Sequence, residues 1–136
     1  MSESEAVLRV RMSRRDVHYG GSLVAGARLL EFFGDLLTEL TIRNDGDEGL
    51  LRAYQSVEFL APVRSGDYIE ARARIIRVGD TSRTCELEAY KVIDAQPDLG
   101  ESAAALLPEP QLVCKAMATT VVKRDLQRQS DAVGTP

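Results

Sequence analysis

Ser22-Leu23-Val24-Ala25-Gly26-Ala27-Arg28-Leu29-Leu30-Glu31-Phe32-Phe33-Gly34-Asp35-Leu36-Leu37-Thr38-Glu39-Leu40-Thr41-Ile42 carries its apolar residues at helical spacing. Leu23, Val24, Ala27, Leu30, Phe33, Leu36, Leu37 and Leu40 recur with the period of one helix face. Leu29 and Phe32 widen that face until most of the circumference is apolar. Such a helix must be wrapped by other structure.

Outward from it, both flanks read as sheet. Upstream, Leu8, Val10 and Met12 alternate with Arg9 and Arg11, a half-buried strand, and Asp16 to Gly21 form the turn into the helix. Downstream, residues 44–49 are a turn-rich loop. Four strands are predicted at about Leu51–Leu60, Tyr68–Val78, Thr84–Val92 and Gln111–Val122, with short turns at Ser65-Gly66-Asp67 and Gly79-Asp80. Asp94–Pro110, bounded by prolines, reads as a longer insertion with a helical turn at Ser102–Leu107. Residues 126–136 are polar and read as a frayed tail. One nearly all-apolar helix and one antiparallel sheet satisfy each other only if the sheet curls around the helix. The expected fold is therefore α+β, a hotdog: one domain over residues 1–136, with about five curved antiparallel strands around one central helix.

The 136 residues suffice for one core and are too few for two domains. With 44% hydrophobic and 28% charged residues the composition is that of an ordinary globular chain. A net charge of −4 argues against nonspecific binding to nucleic acid, although Arg64, Arg72, Arg74, Arg77 and Arg83 crowd together. Arg72 and Arg74 alternate with alanines and read as the outer, solvated face of a strand. Cys85 and Cys114 sit in apolar runs and fit neither a disulfide framework nor a metal knuckle, so they read as reduced core residues. No apolar leader and no run long enough to span a membrane is present, which makes a cytoplasmic protein with no membrane partner the expectation.

Two groups of residues carry candidate chemistry. His18-Tyr19-Gly20-Gly21-Ser22 precedes the predicted helix, where unpaired backbone N–H groups and the dipole favour negative charge. Paired glycines there give a substrate oxygen access to backbone donors; the plainer reading is a tight turn using glycine for positive φ. His18, the one histidine, is a candidate to orient a substrate or move a proton, and Tyr19 either contacts substrate or packs the turn. Glu31, Asp35 and Glu39 share one helix face, where mutual repulsion favours holding a proton on one of them, as a base near neutrality requires. The plainer reading is a solvated stripe. Asp35, set among Phe32, Phe33, Leu36 and Leu37, is the preferred base, Glu39 the second choice, and Glu31 a partner for Arg28.

Val57-Glu58-Phe59-Leu60-Ala61-Pro62-Val63, Gly66-Asp67 and Gly79 with Thr81-Ser82 resemble the sheet of acyl-CoA-acting hotdog enzymes. A closer resemblance covers nearly the whole chain. Val10-Arg11-Met12-Ser13, His18-Tyr19-Gly20-Gly21, Phe33-Gly34-Asp35, Thr38-Glu39-Leu40, the Arg43–Leu50 run, Val113-Cys114, Val121-Val122, Asp125 and Gln127-Arg128 resemble the 3-aminobutyryl-CoA ammonia-lyase family, related to β-alanyl-CoA ammonia-lyase.

The resemblance implies a carbon–nitrogen lyase of lysine fermentation that reversibly removes ammonia from a 3-aminoacyl-CoA, such as 3-aminobutyryl-CoA, to give a 2-enoyl-CoA such as crotonyl-CoA. It implies no metal and no cofactor beyond coenzyme A within the substrate, and a homodimer or multiple of dimers with sites at the subunit interface. Coenzyme A brings phosphates, for which Arg83 beside Thr81 and Ser82, and Lys123 with Arg124, are the candidates. The competing readings are an acyl-CoA thioesterase using one helix acid and a water, and a non-catalytic acyl-CoA-binding module.

Overall fold

The computed structural model describes residues 4–128, with elements in the order β1 (Glu5–Arg11), a 3₁₀ turn (Arg14–Asp16), β2 (Val17–Tyr19), β3 (Leu23–Val24), α1 (Gly26–Asp45), β4 (Leu50–Phe59), β5 (Tyr68–Val78), β6 (Ser82–Ala95), β7 (Ala104–Val121) and a second 3₁₀ turn (Arg124–Leu126). The five long strands form one antiparallel sheet in the order β1-β5-β6-β7-β4, and β2 and β3 form a separate hairpin.

Packing follows from alternation. The inner sheet face presents Ala71, Ala73, Cys85, Leu87, Ala89, Cys114, Ala116 and Ala118, and most are small. That leaves room for Phe32, Phe33, Leu36, Leu37 and Leu40 of α1, all buried in the same cluster. The outer face carries ion pairs: Arg9 and Arg72 each reach Glu70 at 2.7 Å, and Arg74 reaches Glu86 at 2.7 Å. Arg72 and Arg74 are thus on the solvated face expected of them. Both cysteines are buried and free, and burial pushes their thiols up to about 12 for Cys85 and about 11 for Cys114.

Three boundaries differ from the sequence reading. The helix begins at Gly26, not Ser22, because the preceding residues are committed to other partners. Leu23 and Val24 pair with β2, Val24 N–H donates to Val63 O at 2.8 Å, and Ala25 N–H donates to Asp16 O at 3.1 Å. At the other end α1 continues to Asp45, where Gly46 turns left-handed (φ 67°) and donates to Ile42 O at 2.9 Å, a glycine cap. The Asp94–Pro110 segment is no insertion: β6 and β7 run through it, with Ala95 opposite Ala104 and Ile93 opposite Leu106, and residues 102–107 make no helical turn. Pro108 and Pro110 fall in a bulge between the Lys91–Gln111 and Ile93–Leu106 pairs, where ladder donors are not needed. Of the tail read as frayed, residues 126–128 dock: Arg128 N–H donates to Asp45 O at 2.6 Å, and the Gln127 side chain bonds Asp80 O and Val122 O. The rest lies outside the described residues.

Candidate functional site

The acids of α1 separate by their partners. Glu31 meets Arg28 at 3.2 Å and Glu39 meets Arg43 at 2.8 Å. Asp35 is exposed and has no cation partner among the described residues. Its four apolar neighbours point inward, so Asp35 stands on the outer face of the helix, not inside an apolar pocket of its own protomer. Gly34 beside it leaves open space.

The glycine pair is not at the helix N-terminus. Gly20, Gly21 and Ser22 form the tip of the β2–β3 hairpin, with Gly21 at φ 71° and Ser22 at φ 63°. The dipole argument made for them therefore belongs to Ala25-Gly26, where α1 starts with no side-chain cap. The ring of Phe59, itself 54% exposed, lies over Gly26: a Cβ there would come within 2.7 Å of it. His18 and Tyr19 are exposed on β2, their rings 4.7 Å apart edge to face.

The proposed phosphate contacts lie elsewhere. Thr81, Ser82, Arg83, Lys123 and Arg124 gather where α1 ends, about 30 Å from where it begins for twenty residues of helix. Arg83 is a correction. It is 2% exposed, and its guanidinium grips both oxygens of Asp45 at 2.9 and 2.7 Å while also donating to Gly79 O and Ser82 O at 2.9 Å. Burial alone would raise the Asp45 carboxyl, but hydrogen bonds from Arg83 and Asn44 and the Arg83 charge hold it below its ordinary value. A guanidinium so engaged is not offered to a phosphate. Its register was the available signal: Arg83 shares parity with the inward-facing Cys85, Leu87 and Ala89. Arg124 pairs with Asp80, and Lys123 is exposed at the strand end.

Two residues to which the sequence reading gave no site role stand out by their burial. Asp67 is 1% exposed; it accepts from Arg64 N–H and Ala95 N–H, each at 2.8 Å, and pairs with Lys91 at 3.1 Å. It ties the turn before β5 to the end of β6. Tyr54, at the middle of β4, buries a hydroxyl with no partner among the described residues, and burial, then the nearby Cys114, raises its phenol. Among the described residues no cluster of three or more His, Cys, Asp or Glu is placed to hold a metal ion. Among the described residues no helix is long and apolar enough to cross a membrane.

This arrangement has known counterparts. The thioesterase superfamily matches residues 21–97. The chain is 54% identical over 125 residues to 3-aminobutyryl-CoA ammonia lyase of Acetoanaerobium sticklandii, spanning 92% of this chain and 99% of that one. Its fold superposes on β-alanyl-CoA:ammonia lyase from Clostridium propionicum with TM-score 0.88 and 37% identity, covering 95% of this chain and 92% of that one. An acyl-CoA hydrolase from Staphylococcus aureus, solved with butyryl coenzyme A, coenzyme A and coenzyme A disulfide, shares the fold at TM-score 0.72 and 16% identity, over 95% of this chain and 70% of that one. The one long helix packed on a five-stranded antiparallel sheet and the near full-length identity agree: this chain belongs to the thioesterase superfamily and, within it, to the 3-aminobutyryl-CoA ammonia-lyase family.

Proposed function

We propose that this protein reversibly eliminates ammonia from a 3-aminoacyl-CoA, with 3-aminobutyryl-CoA and crotonyl-CoA as the pair. The observation that carries the reading is the 54% identity extending over 99% of the ammonia lyase from Acetoanaerobium sticklandii. In the elimination a base takes the proton from the carbon next to the thioester. The electron pair forms the new C=C bond as the C–N bond breaks. The amino group is already protonated and leaves as ammonia, so no separate acid is required. Charge that builds on the thioester oxygen needs preorganised donors, each typically worth about 2.7–4 kcal/mol in the barrier. We assign that role to the uncapped N–H groups at Gly26 and Ala27, with the Gly20–Ser22 hairpin tip and His18-Tyr19 holding the thioester arm. Asp35 is the base, and Glu39, whose half-buried pair with Arg43 can be exchanged for a new cation, receives the substrate ammonium.

Gly26 and Asp35 are nine residues apart, about 13 Å along one helix axis, too far to serve adjacent atoms of one substrate. The site we propose is therefore shared between two copies, one giving its helix start and the other its Asp35. β4 supports this. It is an edge strand of ten residues whose Leu50, Leu51 and Phe59 are exposed, a template for antiparallel pairing with itself. A cytoplasmic setting suits two reduced thiols.

Incubating the purified protein with crotonyl-CoA and ammonium tests the reading. Adduct formation without free thiol is the expected result. Released coenzyme A would make it a thioesterase, and tight binding without turnover a binding module.

A further inference from the structure

The start of α1 lacks every ordinary capping device. Ala25 occupies the N-cap position with no side-chain acceptor, and the first turn holds no acid. At the third helical position, where a capping box places Glu or Gln, the chain has Arg28. A cation there also opposes the positive end of the helix dipole. The neighbouring backbone donors are accounted for: Ala25 N–H donates to Asp16 O at 3.1 Å and Arg28 N–H to Ala25 O at 3.0 Å. Between them, Gly26 and Ala27 N–H have no hydrogen-bond partner among the described residues.

A carboxylate able to cap them stands close by. Asp16 already reaches α1 through its backbone oxygen, and its side chain is 9% exposed. That side chain is turned to other donors. One oxygen accepts from Ser13 N–H at 2.7 Å, and the other accepts from Arg28 Nε at 2.7 Å. Arg28 is itself anchored: its guanidinium lies 4.5 Å from the centre of the buried Phe32 ring and reaches Glu31 at 3.2 Å. The 3₁₀ turn that ends at Asp16 leads directly into β2 with His18 and Tyr19, so the same bridge ties the hairpin to the helix start. An arginine that opposes the dipole and draws a potential cap away weakens this end as structure. It also leaves two N–H donors open to an oxygen from outside the chain.

We propose that Arg28 is a positioning residue: its bridge to Asp16 keeps that carboxylate off the first turn of α1 and leaves the Gly26 and Ala27 N–H groups open to the thioester oxygen. The proposal rests on the acyl-CoA reading above and adds to it the device that keeps the donors free.

Arg28→Met tests it, because methionine retains packing on Phe32 and releases Asp16 to turn onto the free N–H groups. Turnover of crotonyl-CoA with ammonium should fall about tenfold or more in kcat with KM little changed, and Arg28→Lys should keep most of the activity. Adding Asp16→Ala to Arg28→Met should recover about tenfold, since that carboxylate is no longer there to fill the donors. A purely structural bridge gives a double variant no faster than Arg28→Met, and that result overturns the proposal, as does wild-type kcat in Arg28→Met. Glu31→Gln leaves the Asp16 bridge in place and should keep wild-type kcat; a loss equal to that of Arg28→Met assigns the effect to the helix-surface pair and overturns the proposal. Amide hydrogen exchange at Gly26 and Ala27 reads the capping without any substrate. It should slow about fivefold in Arg28→Met, the factor a typical side-chain cap confers, and return to the wild-type rate in the double variant. If that pattern appears in a protein that does not aminate crotonyl-CoA, the role of Arg28 stands and the lyase reading falls. Equal exchange in all three proteins overturns the proposal whatever the activity.

Discussion

Position 35 has neither a lysine nor an arginine three or four residues away on either side, whereas Glu31 and Glu39 each have an arginine within one turn. The acid left uncompensated is the one free to hold a substrate proton. Asp35→Asn is expected to unfold at the wild-type temperature, since the side chain is exposed, and to lose about 10²-fold or more in kcat. Near-native turnover in that variant would move the base to Glu39 or off the helix. Arg83 makes the opposite case. Removing one member of a buried pair leaves the other charge stranded, at a cost of about 3–5 kcal/mol. Arg83→Ala should therefore melt on the order of 10 °C lower, and its KM in the surviving folded fraction should be unaltered. Because the Asp45 carboxyl is held below its ordinary value, its contribution is complete above the unfolded value of about 3.9 and disappears as pH falls through the folded one. Denaturant melts between pH 3 and pH 6 should show wild-type stability falling on the acid side more steeply than that of Asp45→Asn. Parallel slopes would mean that the pair is not coupled to folding.

Among the elements, β5 matches the sequence reading to the residue because Gly66-Asp67 and Gly79-Asp80 bracket it with turn chemistry. The helix start was not legible for a local reason. Ser22 looks like an N-cap and Leu23-Val24 keep the apolar period, but the hairpin with β2 and the bond to Val63 take those residues away. Such a decision rests on contacts forty residues distant, which periodicity does not encode. The misplacement mattered for the site, because it assigned the dipole to Gly20-Gly21 when the helix starts at Gly26. The prolines at 108 and 110 hid strand for a similar reason: a bulge, unreadable from one strand alone, absorbs them. At the far end of α1, Gly46 holds a left-handed conformation with the Arg128 Cβ close by, 3.1 Å from where its own would stand. Gly46→Ala should cost about 1–2 kcal/mol in a thermal or urea melt without touching kcat. A loss of activity at full stability would show that the helix end reaches the site.

For the whole molecule, the separation of Gly26 from Asp35 makes assembly part of the chemistry. Asp35→Asn and Gly26→Val should each be nearly inactive alone. Mixed after dissociation and re-association, they should recover about a quarter of wild-type activity, because half the dimers are mixed and each mixed dimer has one intact site. No recovery would confine the site to a single protomer or place its second half elsewhere. The same whole-molecule view gives the two cysteines a significance beyond packing. A 2-enoyl-CoA is an electrophile that adds thiolates at its β-carbon, the same carbon that ammonia attacks in the reverse reaction. This chain has two cysteines, both lie on the inner sheet face, and burial lifts both thiols far above neutrality. The folded protein thus has no thiolate for its own product to alkylate. Prolonged exposure to crotonyl-CoA should leave the native mass unchanged, whereas the unfolded chain should accept up to two adducts: the wrapped helix that makes the core also protects the enzyme from the molecule it releases.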